Sequence, residues 1–377
     1  MKQHSSKRIP AVIAAAAAAS VMLTATTAHA APAADHPATR AALNAFQGAA
    51  GPGAAVYAGD GAGSWTLSAG TGTINTNKPI RSDEHFRIGS QTKSFTAATV
   101  LQLVDEGKVS LDAPIDAYLP GTVTGNGYDG TRITVRHLLQ HTSGIGAYDP
   151  LASIALAEPD GTYRAATLVR EGLKRAPVSA PGAGFTYSNT NYLILGMLIE
   201  KVTGLPVHAA VTQRIVERLG LTRTVFPAPG NRTLPAPGVP GYHGTRIGPF
   251  FFWTSVISYD PSLFGAAGAV VSTPEDLSTF YEALVAGRVV SPTALAEMER
   301  VQDITGGAYG LGIFKVDLSC GGEAWGHNGA VPGYLSQTMV TEDGRHASVT
   351  TNAYLATNPP LQQLSTLLDT ALCEDRR

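Results

Sequence analysis

The sequence predicts an α/β (α+β) fold: one antiparallel sheet flanked by helices, built from both ends of the chain, with an all-helical subdomain inserted. Short strand patterns occur near the N-terminus and again toward the C-terminus, while helical periodicity dominates between them. No internal repeat interrupts that order. The simplest packing of such a chain joins the two strand regions in a single layer and covers it with the terminal helices. Expected boundaries are residues 31–120 and 265–377 for the sheet domain and 121–264 for the helical insertion.

Residues 1–30 stand apart from the fold. Lys2, Lys7 and Arg8 precede an apolar stretch, Ile9 to Leu23, and Ala28-His29-Ala30 gives a small-x-small cleavage pattern. This is the form of a signal peptide, with the mature chain starting at Ala31. The apolar stretch is short for a spanning helix, and no later segment is long and apolar enough to be one. The expected product is secreted, extracellular and not membrane-bound in its mature form.

A helix around Ala38 to Phe46 should lead into short strands, Ala54 to Ala58 and Ser64 to Ala69, separated by Gly-rich turns. Phe86 to Gly89 reads as a strand end. The clearest helix follows, Ser90 to Glu106, closed by Gly107. The middle carries helical stretches at Ile133 to Gln140, Ala165 to Arg175, Asn189 to Val202 and Val207 to Leu219. Pro227 to Gly248 reads as long loops with little periodicity, a size often tied to function. Helices at Pro274 to Ala286 and Pro292 to Val301 then precede strands at Gly310 to Leu318, Ala324 to His327, Tyr334 to Val340 and His346 to Asn352. A terminal helix spans Pro360 to Leu372.

Composition narrows the partners. Of 377 residues, 44% are hydrophobic and 15% charged, with a net charge of -2. That balance lacks the basic surface a nucleic-acid binder needs. Cys320 and Cys373 are the two cysteines, and an oxidising compartment favours pairing them. Without CxxC or HxxxH spacing they do not suggest a metal site. No metal and no cofactor is expected, and the partner should be a small-molecule or peptide substrate.

Three short motifs carry chemistry: Ser90-Gln91-Thr92-Lys93, Tyr187-Ser188-Asn189 and His327-Asn328-Gly329. Residues at i and i+3 share a helix face, so Lys93 can reach the Ser90 hydroxyl. An alcohol becomes a competent nucleophile only beside a base. A lysine serves as that base when burial or nearby positive potential destabilises its ammonium, and a helix N-terminus supplies such potential. A capping serine with a solvated lysine fits less well, because lysine is disfavoured at that end of a helix. Taken singly, Asn189 reads first as a helix cap, Tyr187 as a core aromatic and His327 as a structural histidine.

In this order and with their surroundings, the three motifs resemble those of the penicillin-recognising serine hydrolases, the β-lactamase superfamily. The likeness is to the branch that holds the soluble D-alanyl-D-alanine carboxypeptidases. It extends through "FRIGSQTKSF", "LQLVDEGKVSLD", "ITVRHLLQHTSGI", "YSNTNYLILGMLIEKVTG", "AAGAVVST", "YGLGIFKVDLSCGG" and "GHNGAVPGY". The resemblance implies a β-lactamase/transpeptidase-like fold and acyl transfer through a Ser90 acyl-enzyme. Lys93 would be the proton partner and Tyr187 the relay to the leaving group. Asn189, His327, Asn328 and Gly329 would bind substrate, the backbone N–H groups of Ser90 and Ala330 would form the oxyanion hole, and Cys320 and Cys373 would be the disulfide.

The likeness also departs at one place. Where the carboxypeptidases hold an arginine for the peptide carboxylate, this chain has Phe314, with Lys315 beside it on the opposite strand face. Ala330 offers only its backbone where a hydroxyl would help. The expected activity is D-alanyl-D-alanine carboxypeptidase action on peptidoglycan stem peptides, with acylation by β-lactams. Esterase, β-lactamase or D-aminopeptidase action is the alternative. The aromatic run Phe250 to Trp253 could line an acyl pocket or pack the insertion, and Tyr148 could stack on substrate. A non-catalytic penicillin sensor fits less well: it would more naturally keep an anchor or output domain, which this sequence does not show.

Overall fold

Strand pairing in the computed structural model brings the two ends of the chain into one sheet. The structure describes residue 1 and residues 36–247, 250–256, 258–355 and 359–376; the expected cleavage site lies outside them. The chain opens with α1 (Pro37–Ala50), started by a proline in its first turn, where a missing N–H costs nothing. The hairpin β1 (Gly53–Asp60) and β2 (Gly63–Gly70) follows, then β3 (Phe86–Arg87) and α2 (Thr92–Asp105). Next come β4 (Thr124–Gly125), β5 (Tyr128–Asp129), α3 (Val135–Leu139), α4 (Ala165–Leu173), α5 (Asn189–Thr203) and α6 (Val207–Val211). After β6 (Tyr242–Ile247), β7 (Phe250–Ser255) and β8 (Val271–Ser272) come α7 (Pro274–Val285) and α8 (Pro292–Met298). The C-terminal part supplies β9 (Gln302–Ile304), β10 (Gly307–Tyr309), β11 (Phe314–Asp317), β12 (Glu323–Val331), β13 (Tyr334–Val340), β14 (His346–Thr351), β15 (Ala353–Tyr354) and α9 (Leu361–Cys373).

The main sheet has eight strands in the order β2-β1-β14-β13-β12-β11-β10-β9. Its neighbours pair antiparallel, with β1 meeting β14 in the register Val56↔Val349. That one pairing stitches the N-terminal hairpin to the C-terminal meander. Helices α1 and α9 cover one face through Leu43, Phe46, Leu364, Leu367 and Leu368. The other face meets the larger core, in which Phe95, Leu277, Phe280, Trp325 and Val340 are buried. The disulfide Cys320–Cys373 ties the turn before β12 to the end of α9, across 53 residues.

Helix α2 runs through that larger core. Every residue from Thr92 to Leu103 is buried, the mark of a central helix rather than an amphipathic surface one. It ends as the sequence expects. Gly107 takes φ +68, its N–H bonds the Val104 carbonyl, and the Lys108 N–H bonds that of Leu103 at 2.9 Å. These are the two bonds of a Schellman stop.

Two expectations are corrected. The stretch from Val207 does not remain α-helical, because α6 passes into a π turn at Thr212–Val216. The supposed loop up to Gly248 contains β6, which pairs antiparallel with β7 and parallel with β15. Its sequence, "YHGTRI", has no hydrophobic period; the strand forms because the aromatic, strand-favouring β7 offers it a partner. The region expected to be all-helical therefore carries two hairpins, the short β4–β5 and β6–β7.

Candidate active site

Ser90 lies in a tight 3₁₀ turn, Gly89–Gln91, that feeds α2. Residues three apart eclipse one another in such a turn, and Lys93 Nζ stands 3.0 Å from Ser90 Oγ. Two glycines create the surroundings. Gly89 has φ +54, and a Cβ there would sit 2.9 Å from the Ala330 nitrogen. A Cβ on Gly329 would fall 1.9 Å from the Ile88 carbonyl oxygen. Only bare backbone at both positions lets β12 lie directly against the nucleophile turn. This approach brings the Ala330 N–H beside Ser90, where the pair can act as an oxyanion hole.

Lys93 is fully buried. Its Nζ reaches Ser90 Oγ, Asn189 Oδ1 at 2.8 Å and the Ala267 carbonyl at 2.8 Å, all uncharged partners. Burial holds its pKa well below the usual lysine range, since desolvation disfavours the ammonium and no carboxylate compensates. When the amine is deprotonated, the geometry assigns its protons. Two N–H bonds go to Asn189 and Ala267, whose oxygens can only accept, and the lone pair is left for the Ser90 hydroxyl. The Ala267 carbonyl was invisible to motif reading, because any residue carries one.

Tyr187 is half-buried, and Lys93 Nζ lies 4.7 Å from its ring centroid. Its hydroxyl is buried with no hydrogen-bond partner among the described residues. Burial raises the phenol above its ordinary range, partly opposed by the Ser90 hydroxyl nearby. Ser188 is the extended N-cap of α5, which sets Asn189 at the helix start and within reach of Lys93.

His327 is fully buried on β12. Its Nδ1 lies 2.5 Å from the Asn328 carbonyl and its Nε2 lies 3.1 Å from the Tyr309 hydroxyl. A carbonyl only accepts, so Nδ1 carries the proton and Tyr309 donates to Nε2. Burial, reinforced by Lys93 whenever that amine is protonated, pulls the pKa down to about 3. The imidazole stays neutral, 6.3 Å from the Tyr187 ring, and is held inside the wall of the site. Asn328 is half-buried, Gly329 buried and Ala330 exposed. Tyr309, missed as a site residue, sits in the "YGLG" string, where nothing in its spacing pointed to His327.

The arginine-replacing position is apolar in fact as well as in sequence. Phe314 packs edge-on against His327 and Tyr309, both at 4.7 Å between centroids. Lys315 is drawn away by Glu323 in an ion pair across the strands. Tyr148 does not face substrate: it is buried and donates its hydroxyl to the Leu263 carbonyl. Of the aromatic run, Phe252 is 58% exposed, so it does not line an enclosed pocket. Among the described residues, no group of three or more His, Cys, Asp or Glu side chains could hold a metal ion, and no single helix is long and apolar enough to cross a membrane.

Comparison with known proteins agrees with this geometry. The beta-lactamase family matches residues 40–362. Esterase EstB of Burkholderia gladioli is 38% identical over 38% of this chain, a match that spans 39% of the esterase's own length. Penicillin-binding protein 4 of Amycolatopsis lactamdurans is 28% identical over 78% of each chain. A D-stereospecific amidohydrolase from Streptomyces sp. superposes with a TM-score of 0.79 and 40% identity, covering 89% of this chain and 98% of its own. With the SxxK, YxN and HxG elements assembled around one cleft and the family match running through almost all of the fold, this chain belongs to the beta-lactamase family.

Proposed function

We propose that this chain is an exported serine hydrolase that cleaves amides or esters of D-configured acyl groups. One observation carries the chemistry: a buried lysine with no carboxylate partner, held by the Asn189 and Ala267 oxygens and placed 3.0 Å from Ser90 Oγ, where its deprotonated form turns a lone pair to the hydroxyl. Lys93 accepts the hydroxyl proton as Oγ attacks the substrate carbonyl. The N–H groups of Ser90 and Ala330 take up the charge that develops on the carbonyl oxygen. Tyr187, adjacent to both Ser90 and Lys93, passes the proton to the departing nitrogen or oxygen. Water then releases the acyl group from Ser90 by the reverse route.

Phe314 guides the choice of substrate. A carboxypeptidase acting on D-Ala-D-Ala stem peptides needs a cation for the terminal carboxylate, and here that position is an aromatic ring while Lys315 is held by Glu323. A neutral leaving group suits such a wall. The similarity to a D-stereospecific amidohydrolase supports the D-configured acyl group. The carboxypeptidase reading expected from sequence is therefore placed second. Export rests on the leader pattern of residues 1–30.

Incubation with a fluorescent penicillin, followed by mass mapping of the adduct, tests the nucleophile. Label on Ser90, lost in Ser90→Ala, is the expected result; undiminished label in that variant rejects the assignment. Parallel assays of D-alanine amide and a D-Ala-D-Ala peptide test the substrate. Turnover of the amide with little release from the dipeptide is expected, and the opposite ranking restores the carboxypeptidase reading.

A further inference from the structure

One buried histidine plays no part in the acyl-transfer scheme, yet it touches the Tyr187 motif at several points. His141 follows α3 in the segment Gln140-His141-Thr142-Ser143-Gly144, at φ 58 in the left-handed region. Its carbonyl accepts the Thr186 N–H at 2.8 Å. Its Nδ1 accepts the Ser188 N–H at 3.2 Å and lies 3.1 Å from Asn191 Nδ2. A backbone N–H can only donate, so Nδ1 is unprotonated and the ring proton sits on Nε2. Asn191 is oriented independently, because its Oδ1 accepts the Ser143 hydroxyl at 2.7 Å. Finally, the His141 ring lies 4.3 Å from the Tyr187 ring.

The neighbouring helix start lacks its usual supports. Ser188 makes no side-chain cap bond, and the tip of Tyr187 has no hydrogen-bond partner among the described residues. At its free end the phenol has only the Ser90 hydroxyl nearby, so its direction is set mainly from its base. In a capping box the third helical side chain accepts the N-cap N–H; here the side chain at that position, Asn191, meets His141 instead, and His141 Nδ1 takes the N–H of Ser188.

We propose that His141 is a positioning residue for Tyr187. By holding residues 186, 188 and 191 at once and packing its ring on the phenol, it aims the hydroxyl at the leaving-group side of Ser90. This rests on the reading of Tyr187 as proton relay. Aim matters most when the leaving group cannot depart without a proton: an anilide nitrogen needs one, whereas a nitrophenolate leaves unaided.

The test compares D-alanine 4-nitroanilide with D-alanine 4-nitrophenyl ester in His141→Gly and His141→Asn, with thermal unfolding as control. Both substitutes accept a positive φ, but Asn keeps an acceptor close to where Nδ1 stands and Gly does not. His141→Gly should lower kcat for the anilide about 10²-fold, the cost of a misplacement near 1 Å. The ester should fall far less, with KM little changed for both, and His141→Asn should recover most of the anilide rate. Equal losses on both substrates in a folded His141→Gly, or no recovery in a folded His141→Asn, overturn the proposal. If His141→Gly does not fold, an anilide-to-ester ratio well below wild type in folded His141→Asn overturns it, and a ratio near wild type upholds it. Tyr187→Phe separates the two ideas. No anilide selectivity in that variant rejects the relay itself, whereas selectivity there with none in His141→Gly rejects only the role of His141.

Discussion

Gly329→Ala adds one methyl group against a backbone carbonyl that cannot turn aside. The new Cβ would fall 1.9 Å from the Ile88 carbonyl oxygen and 3.1 Å from Ser336 Oγ. The serine hydroxyl can rotate; the carbonyl cannot. Reaching even a tight 3.0 Å contact requires a relative shift of roughly 1 Å, a displacement that can cost about 10² in rate when it falls on catalytic groups. Both sides of this contact carry the chemistry. The Ile88 carbonyl accepts the Gln91 N–H at 3.3 Å and so closes the turn that presents Ser90. Residue 329 precedes Ala330, whose N–H faces that turn. Whichever side yields, the two oxyanion donors move apart, and losing one of them costs about 10²–10³ in kcat. The overpacking should also lower stability by about 1–3 kcal/mol. Steady-state kinetics on a nitrophenyl ester, with thermal unfolding of the same preparations, measure both. Gly48→Ala is the control, because no atom lies within 4 Å of its new Cβ. It should raise stability by about 0.5–1 kcal/mol, as expected in a helix interior, and leave kcat alone. A Gly329→Ala protein with near-wild-type kcat and unchanged melting refutes the argument from close approach.

The remaining expectations concern protons and covalent ties. The acid limb of kcat/KM should follow deprotonation of Lys93, with a midpoint below the ordinary lysine value of 10.5 because burial lowers it; in Lys93→Arg, whose guanidinium stays charged, penicillin labelling should slow by orders of magnitude, and near-normal labelling would mean another base. His327 is held neutral, with its pKa moved from 6.5 down to about 3. The unfolded chain therefore binds more protons between those values, so stability from this residue is complete above pH 6.5 and is lost as the pH falls toward 3, by on the order of 4–5 kcal/mol. Urea unfolding of wild type and His327→Gln at neutral and acid pH should show the smaller loss in the variant, and equal losses would reject the buried-neutral assignment. Reducing Cys320–Cys373, which closes 53 residues, should lower stability by about 4 kcal/mol without changing kcat in the folded protein; a large fall in kcat at temperatures where the reduced protein stays folded would show that the bridge reaches the site.

The local facts were legible in the residues alone. Ser90 and Lys93 are one turn apart whatever surrounds them, and Gly107 ends α2 because a left-handed residue must. The strands from Tyr334 and His346 were legible in their β-branched and aromatic content. Motif order was enough to point to a family of serine hydrolases. Everything that depends on partners distant in the chain waited for the fold. The hairpin of β6 and β7 formed where no periodicity showed, since a strand is defined by its neighbour as much as by its residues. The Ala267 carbonyl became a ligand of Lys93, although a backbone oxygen has no letter of its own. Tyr309 and His141 became fixed neighbours of the site through hydrogen bonds that no spacing encodes. Phe314 was readable as a departure, but only the fold showed Lys315 committed to Glu323 and the wall left without a cation. Local spacing sets which groups can meet along one element; burial decides their charge, and burial exists only once the elements pack.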